Sequence, residues 1–180
     1  MVSPALHSIV HRLEGLKQQA SLSELYQLLK NSPLMVRDFE DRIRFYDHHC
    51  CRNVISSGPW HVLLLICWRQ GQSSSVHDHA DSACVFKVLA GVCSETGYGF
   101  TIDGRIYPIE HHTHETGAIV LTQGTDTHQI ANLQPTGENL VTLHVYSPPL
   151  KLMRTFSPSG KCISQSPAPD GLQLTGGNGI

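Results

Sequence analysis

A chain of 180 residues, 40% hydrophobic and 16% charged, is long enough for one globular domain with a sizeable core. Its net charge of -2 at pH 7 argues against nucleic acid or an anionic membrane as a partner, and its longest apolar run, residues 62–68, is too short to cross a bilayer. No secretory signal is visible, so we expect a soluble, cytoplasmic protein that acts on small molecules as a monomer.

The N-terminal part of the chain is predicted to be helical. Leucine, isoleucine and valine recur at helical spacing in residues 3–17, which predicts an amphipathic helix. Ser21 and Glu24 form a capping-box pattern that begins a second helix, and a third short helix is predicted for residues 38–47. We expect these segments, about residues 3–48, to pack as a cap on the domain.

From Asn53 onward the pattern changes to short β-rich runs that are separated by turn residues. Asp103 and Gly104, for example, are typical of a hairpin turn. The predicted strands are 60–68, 86–92, 98–102, 118–122, 128–133 and 140–146, in addition to a strand that carries His77 and His79. The fold class is therefore mainly β, a small barrel or sandwich over about residues 53–156.

The domain organisation is simple. We predict a single domain in residues 1–160, with no repeat and no second domain. The segment from 161 to 180 is rich in glycine, serine and proline, which predicts a flexible C-terminal tail.

His77 and His79 are the first candidate metal ligands. Residues i and i+2 of a strand point to the same side, so these two imidazoles would form half of a chelate. Gly71 precedes them, and Cys84 and Gly91 follow, at the spacing of the first motif of the cupin superfamily. Cys84 stands where that motif usually has a glutamate.

The second cupin motif is matched later in the chain, at Gly117, His128 and Asn132, although Gln123 and Thr125 replace its proline and second glycine. The resemblance implies a cupin-type, jelly-roll-like barrel in which His128 is the third ligand. Three imidazoles suit zinc, iron, copper or nickel, and the ligand set alone does not choose among them. Cys84 would either bind the metal itself, which favours zinc, or lie beside it.

A second His-x-His pair, His112 and His114, is not predicted to bind metal. Glu110 and Glu115 flank it, no glycine loop precedes it, and the segment has no apolar face. A solvated strand or loop is the simpler interpretation.

Two longer blocks narrow the family. The chain reads S-S-V-H-D-H at residues 74–79 and L-H-V-Y-S-P-P at residues 143–149, and with Arg52 and Trp68 these blocks resemble the cysteine dioxygenase family. The resemblance covers most of residues 46–150. It implies that Fe(II) is held by the three histidines and that L-cysteine binds through its thiolate and amine. Both atoms of O2 would then be added to sulfur, which gives cysteine sulfinic acid.

The same resemblance implies roles for four further residues. Arg52 corresponds to the arginine that pairs with the substrate carboxylate, a task that suits a bidentate guanidinium. Cys84 and Tyr146 correspond to a pair that becomes joined by a thioether bond. His144 would hydrogen-bond the Tyr146 hydroxyl, with Thr142 behind it, and a cis peptide bond would follow at Ser147-Pro148.

Two departures from the family pattern leave the substrate open. Cys50 stands where the family usually has a tyrosine that also reaches toward the carboxylate, and Ala83 stands where animal enzymes have a histidine. One alternative is a dioxygenase for a related thiol such as 3-mercaptopropionate, although Arg52 and Cys84 both argue against it. Another is a non-catalytic or zinc-binding cupin.

Overall fold

The computed structural model describes residues 3–150, 152–157 and 162–167. These residues form helices α1 (Pro4–Glu14) and α2 (Leu22–Lys30), a 3-10 helix (Val36–Phe39) and a series of strands. The strands are β1 (Cys51–Gly58), β2 (His61–Trp68), β3 (Val76–His77), β4 (Ala83–Ala90), β5 (Val92–Phe100), β6 (Ile106–Glu115), β7 (Ile119–Thr122), β8 (Thr127–Ala131), β9 (Leu140–Ser147), β10 (Leu152–Phe156) and β11 (Cys162–Pro167). The prediction of a mainly β protein with N-terminal helices is confirmed.

The helices begin where side chains cap them. Ser3 accepts a hydrogen bond from the backbone N–H of Leu6, and Ser21 and Glu24 form the predicted capping box. The predicted third helix over 38–47 is wrong, because only the short 3-10 helix forms and turns follow it. The Asp38 carboxylate accepts from the N–H of Met35, so this segment begins before Asp38 rather than at it. No helix in the described part of the chain is long and apolar enough to span a membrane.

The strands form two antiparallel sheets. The first sheet has the order β1-β2-β9-β4-β7, and the second has the order β11-β10-β3-β8-β5-β6. Apolar side chains from both sheets share one cluster, which includes Trp68 and Phe86 of the first sheet and Cys93 and Ile130 of the second. The sheets therefore face each other across a common interior.

The two faces of the first sheet bury different clusters. Its outer face packs against the helices, through side chains such as Leu65 and Leu143 against Leu25 and Phe39. Because both faces are covered, every residue of β2 and β9 is buried. Burial on both faces explains why residues 62–68 are apolar without alternation. The helices that cover the outer face form the predicted cap.

Strand β11 corrects part of the predicted tail. Residues 162–167 lie within the segment that was predicted to be flexible, yet they pair with β10, with Met153 opposite Ser166. The backbone of β10 would otherwise be an unpaired sheet edge, and β11 supplies its hydrogen-bond partners. The remainder of the predicted tail, 161 and 168–180, lies outside the described residues, and the single domain over 1–160 stays a prediction.

Candidate metal centre and substrate pocket

His77, His79 and His128 converge in the interior between the sheets. Their candidate ligand atoms all lie within 4.8 Å of one another, and all three residues are buried. His77 ends β3 and lies directly opposite His128 on β8, which brings their ring centroids to 4.8 Å. Among the residues that the structure describes, no other group of three His, Cys, Asp or Glu side chains converges in this way.

His79 lies just after strand β3, which ends at His77, so the two histidines do not share one strand as predicted. Their imidazoles nevertheless lie on the same side, as predicted, with ring centroids 5.1 Å apart. The N–H of His79 donates to the carbonyl of Gly124, and Ala80, in the turn that follows, adopts a left-handed backbone with φ of 49°. A Cβ at Gly124 would overlap the Ala80 carbonyl oxygen, so a glycine is required for this close approach.

The hydrogen bonds of the three rings leave nitrogens available for a metal ion. His77 Nδ1 lies 2.9 Å from the carbonyl oxygen of Ser75, which can only accept, so Nδ1 carries the hydrogen and Nε2 has a free lone pair. His128 Nδ1 bonds the Glu95 carboxylate, and its buried Nε2 has no hydrogen-bond partner within the described part of the chain. The same is true of the buried Nδ1 of His79.

Burial keeps the His77 and His79 rings in the neutral form that binds metal. Burial, followed by the neighbouring His128, lowers the pKa of His77 to about 3, and burial likewise holds the pKa of His79 well below its ordinary value. Neutral imidazole is the form that binds metal. Buried nitrogens without partners and neutral rings together fit a first-row divalent transition ion that keeps open coordination positions.

A small cavity of about 40 Å³ adjoins the three histidines. Its walls are mostly apolar, and the polar side chains that line it come from both sheets. The lining includes Arg52, Leu64, Ile66, Trp68, Ile130, His144, Tyr146, Leu150 and Met153. A cavity of this size admits only a small molecule.

Arg52 lies at the mouth of this cavity. It stands on the inner face of β1, opposite Ile66, and it also lines a surface groove formed with residues 47–50 and 70–75. The Arg52 side chain takes part in no hydrogen bond or ion pair within the described residues. The guanidinium therefore offers all its donors to an anion that enters from the groove.

Cys84 and Tyr146 are direct cross-strand partners on β4 and β9, so their side chains lie on the same inner face. Both are buried. Burial, the larger cause, and the neighbouring Cys84 raise the pKa of the Tyr146 hydroxyl well above its ordinary value, and burial also raises the pKa of the Cys84 thiol. Both groups are consequently protonated in the unliganded protein.

The predicted hydrogen bond from His144 to Tyr146 is not formed among the described residues. His144 Nε2 lies 2.9 Å from Thr142 Oγ1, which also accepts from Trp68 Nε1 at 3.0 Å. Side chains two apart on a strand stand side by side, so the rings of His144 and Tyr146 stack with an interplanar angle of 9° instead of pointing at each other. The position of Thr142 behind His144 is as predicted, and the Ser147-Pro148 bond is cis.

The second His-x-His pair lies on β6. His112 is exposed and pairs with Glu110, as expected for a solvated strand, whereas His114 is partly buried and bonds Glu95. Glu95 itself was not singled out from the sequence. It alternates with Cys93 on β5, and a carboxylate at an inward-facing strand position was the signal that could have indicated it.

The comparisons with known proteins agree with this fold. A solved Klebsiella pneumoniae protein with a double-stranded β-helix domain is 18% identical, with a TM-score of 0.51 over 69% of this chain and 97% of that one. A Bacillus halodurans structure is 17% identical, with a TM-score of 0.51 over 73% and 88% of the two chains. Together, the fold and the three-histidine cluster define the chain as a cupin-type β-barrel with a candidate metal site.

The family follows from the sequence comparisons. The family model for cysteine dioxygenase type I matches residues 7–159, and the chain belongs to that family. The zebrafish protein "Cysteine dioxygenase type 1" is 28% identical over 163 residues, which cover 87% of this chain and 81% of that protein. The bovine protein of the same name is 31% identical over 117 residues, 63% and 58% of the two chains.

The metal site generates the first prediction. We expect the purified protein to bind about one divalent transition metal ion per chain, because three imidazoles converge on one point. His77→Ala or His128→Ala should abolish this binding in a protein that remains folded by circular dichroism, whereas His112→Ala should leave it unchanged. Metal analysis after dialysis measures the result. Full metal content in both site variants, with loss in His112→Ala, would place the metal on β6 instead.

Proposed function

We propose that this protein is a non-haem Fe(II) dioxygenase that adds both atoms of O2 to the sulfur of L-cysteine and releases cysteine sulfinic acid. The observation that carries the proposal is the placement of an unpaired arginine beside three metal-ready histidines in one small pocket of a cysteine dioxygenase family member. Five cysteines in residues 3–150 are free, which fits the cytoplasmic location that we propose. That the protein is a monomer stays a prediction.

Arg52 anchors the substrate by its carboxylate. A guanidinium binds a carboxylate through two parallel hydrogen bonds, which fix the direction as well as the position of the ligand. The apolar walls then leave the thiol end of a short amino acid to extend toward the histidines. Orientation of this kind supplies a large part of catalysis when two reactants must meet at one point.

A bound Fe(II) would supply the position at which the substrate thiolate and O2 meet, while the sulfur itself supplies the four electrons that reduce O2. The three histidines are uncharged as ligands. The substrate thiolate would therefore be the first anion to coordinate the metal. The apolar lining, with Leu64, Ile130 and Met153, excludes bulk water from the reacting sulfur. We infer that oxidation therefore waits until substrate is bound.

Tyr146 and His144 stand over the same cavity on β9. The Tyr146 hydroxyl stays protonated because burial and Cys84 raise its pKa, so it donates a hydrogen bond to oxygen or to the substrate. Burial, followed by His128, lowers the pKa of His144 to about 3, which keeps that ring neutral. A neutral His144 adds no positive charge that would repel a metal ion.

Cys50 leaves the identity of the thiol substrate open. It is buried near Arg52 at the position of the family tyrosine, so one hydroxyl contact to the substrate is absent. A loss of about 0.5–1.5 kcal/mol is typical for one such contact. A related thiol carboxylate, such as 3-mercaptopropionate, stays the alternative, although Arg52 and Cys84 argue against it, and a non-catalytic or zinc-binding cupin is the outcome if no thiol is oxidised.

The proposed reaction is tested by reconstitution with Fe(II) under anaerobic conditions, followed by cysteine and ¹⁸O2. We expect cysteine sulfinic acid that carries two labelled oxygen atoms. Parallel assays with 3-mercaptopropionate distinguish the alternative substrate. If cystine and hydrogen peroxide are the only products in the presence of bound iron, the dioxygenase proposal is wrong.

Arg52→Ala should weaken the use of cysteine much more than the use of cysteamine, which lacks a carboxylate. A charge-assisted pair contributes about 1.5–3 kcal/mol, which corresponds to roughly a 10- to 150-fold loss in kcat/KM for cysteine. Arg69→Ala is the matched control, since Arg69 is exposed and pairs with Asp47. Equal losses on both thiols would make Arg52 a structural residue.

We also propose the thioether bond between Cys84 and Tyr146. Its formation removes the thiol hydrogen and one ring hydrogen, and the two electrons and two protons would reduce one O2 to hydrogen peroxide, with the Fe(II) held by the three histidines as the catalyst. Turnover with cysteine should therefore produce protein that has lost the mass of two hydrogen atoms and a fused Cys84–Tyr146 peptide pair. Cys84→Ser should prevent both while it keeps metal and part of the activity. Unmodified peptides after many turnovers would contradict the crosslink alone.

A further inference from the structure

Glu95 links a metal ligand to a histidine outside the pocket. Its Oε1 lies 2.6 Å from His128 Nδ1, and its Oε2 lies 2.8 Å from His114 Nε2. The Glu95 side chain is only 12% exposed. Both carboxylate oxygens thus have imidazole partners.

The strand register explains how Glu95 reaches His128. On β5, Glu95 lies opposite Ile130 of β8, while His128 lies opposite Gly97, so His128 is the diagonal neighbour of Glu95. Gly97 has no side chain to block this diagonal. The space above Gly97 is instead taken by Glu110, since a Cβ there would come within 2.8 Å of the Glu110 side chain.

Two carboxylates lie near the candidate ligands. Glu95 accepts hydrogen bonds from His128 and His114. The other buried carboxylate near the ligands, Asp78, accepts from Arg154 instead of from a histidine ligand. Among the hydrogen bonds of the described residues, Glu95 provides the one between a carboxylate and the three-histidine set.

We propose that Glu95 is a positioning residue of the metal centre, and this inference rests on the proposed three-histidine site. As an acceptor, it holds the hydrogen of His128 on Nδ1 and aims Nε2 at the metal. As an anion, it makes His128 a stronger ligand, because a carboxylate that accepts the second ring hydrogen raises ligand basicity. His114 restrains the other oxygen, so Glu95 stays in this place and does not itself coordinate the metal.

Glu95 would thereby take over part of the role of the glutamate ligand that this chain lacks. Cys84 stands at the position where the first cupin motif usually has a glutamate ligand. Glu95 returns a negative charge to the centre without occupying a coordination position. The open positions thereby remain available to small molecules.

Titration of metal-free protein with Co²⁺ tests this role without any catalytic assay. Glu95→Gln keeps an acceptor for His128 but removes the charge, and Glu95→Ala removes both. We expect Glu95→Gln to weaken Co²⁺ binding and to shift the visible Co²⁺ absorption, and Glu95→Ala to weaken binding by about 10- to 100-fold. Glu110 is a carboxylate on the same side that contacts His112, so Glu110→Gln is the matched control. This variant should bind Co²⁺ as the unmodified protein does.

The result that overturns the proposal is Co²⁺ binding by both Glu95 variants within about twofold of the unmodified protein, with an unchanged spectrum. If these variants do not fold, long-range ¹H–¹⁵N NMR of the unmodified metal-free protein decides the matter. Hydrogen on Nδ1 of His128 supports the proposal, and hydrogen on Nε2 overturns it. A protein that shows the Glu95 dependence but oxidises no thiol would refute the proposed dioxygenase activity and leave the role of Glu95 intact.

Discussion

The structure depends on the burial of three imidazoles whose free nitrogens point at one another. Such a cluster is costly in the absence of metal, because buried polar atoms without partners lose their hydrogen bonds to water. Two arrangements hold it in place: the direct pairing of His77 with His128 across β3 and β8, and the tight turn that brings His79 against Gly124. Burial also keeps His77 and His79 neutral, which prepares them for metal.

The two sheets divide the candidate chemistry between them. The second sheet and the turn after β3 carry the three histidines and Glu95, while the first sheet carries Arg52, Cys84, His144 and Tyr146. The helices bury the outer face of the first sheet, so its inner face is free to form one wall of the pocket. In the proposed reaction, residues from both sheets therefore act on one substrate molecule from opposite walls of the pocket.

The sequence predicted the members of the site better than their local geometry. The spacing around His77, His79 and His128 predicts the three histidines that converge in the structure, and the blocks around Arg52 and Tyr146 indicate the family. The turn at His79 was not predictable, because it depends on the approach of Gly124 from a distant part of the chain. The bridge from Glu95 to His128 and the pairing of β11 with β10 also depend on sheet register, which no local pattern records.

The central claim is that the substrate thiol binds at the three-histidine centre while its carboxylate pairs with Arg52. The most direct measurement is the absorption spectrum of the Co²⁺-loaded protein, without O2, as L-cysteine is added. The account predicts a new thiolate-to-metal absorption band with L-cysteine, none with L-serine, and a much weaker response to L-cysteine in Arg52→Ala. An unchanged spectrum at saturating L-cysteine, with the metal shown to remain bound, would contradict it.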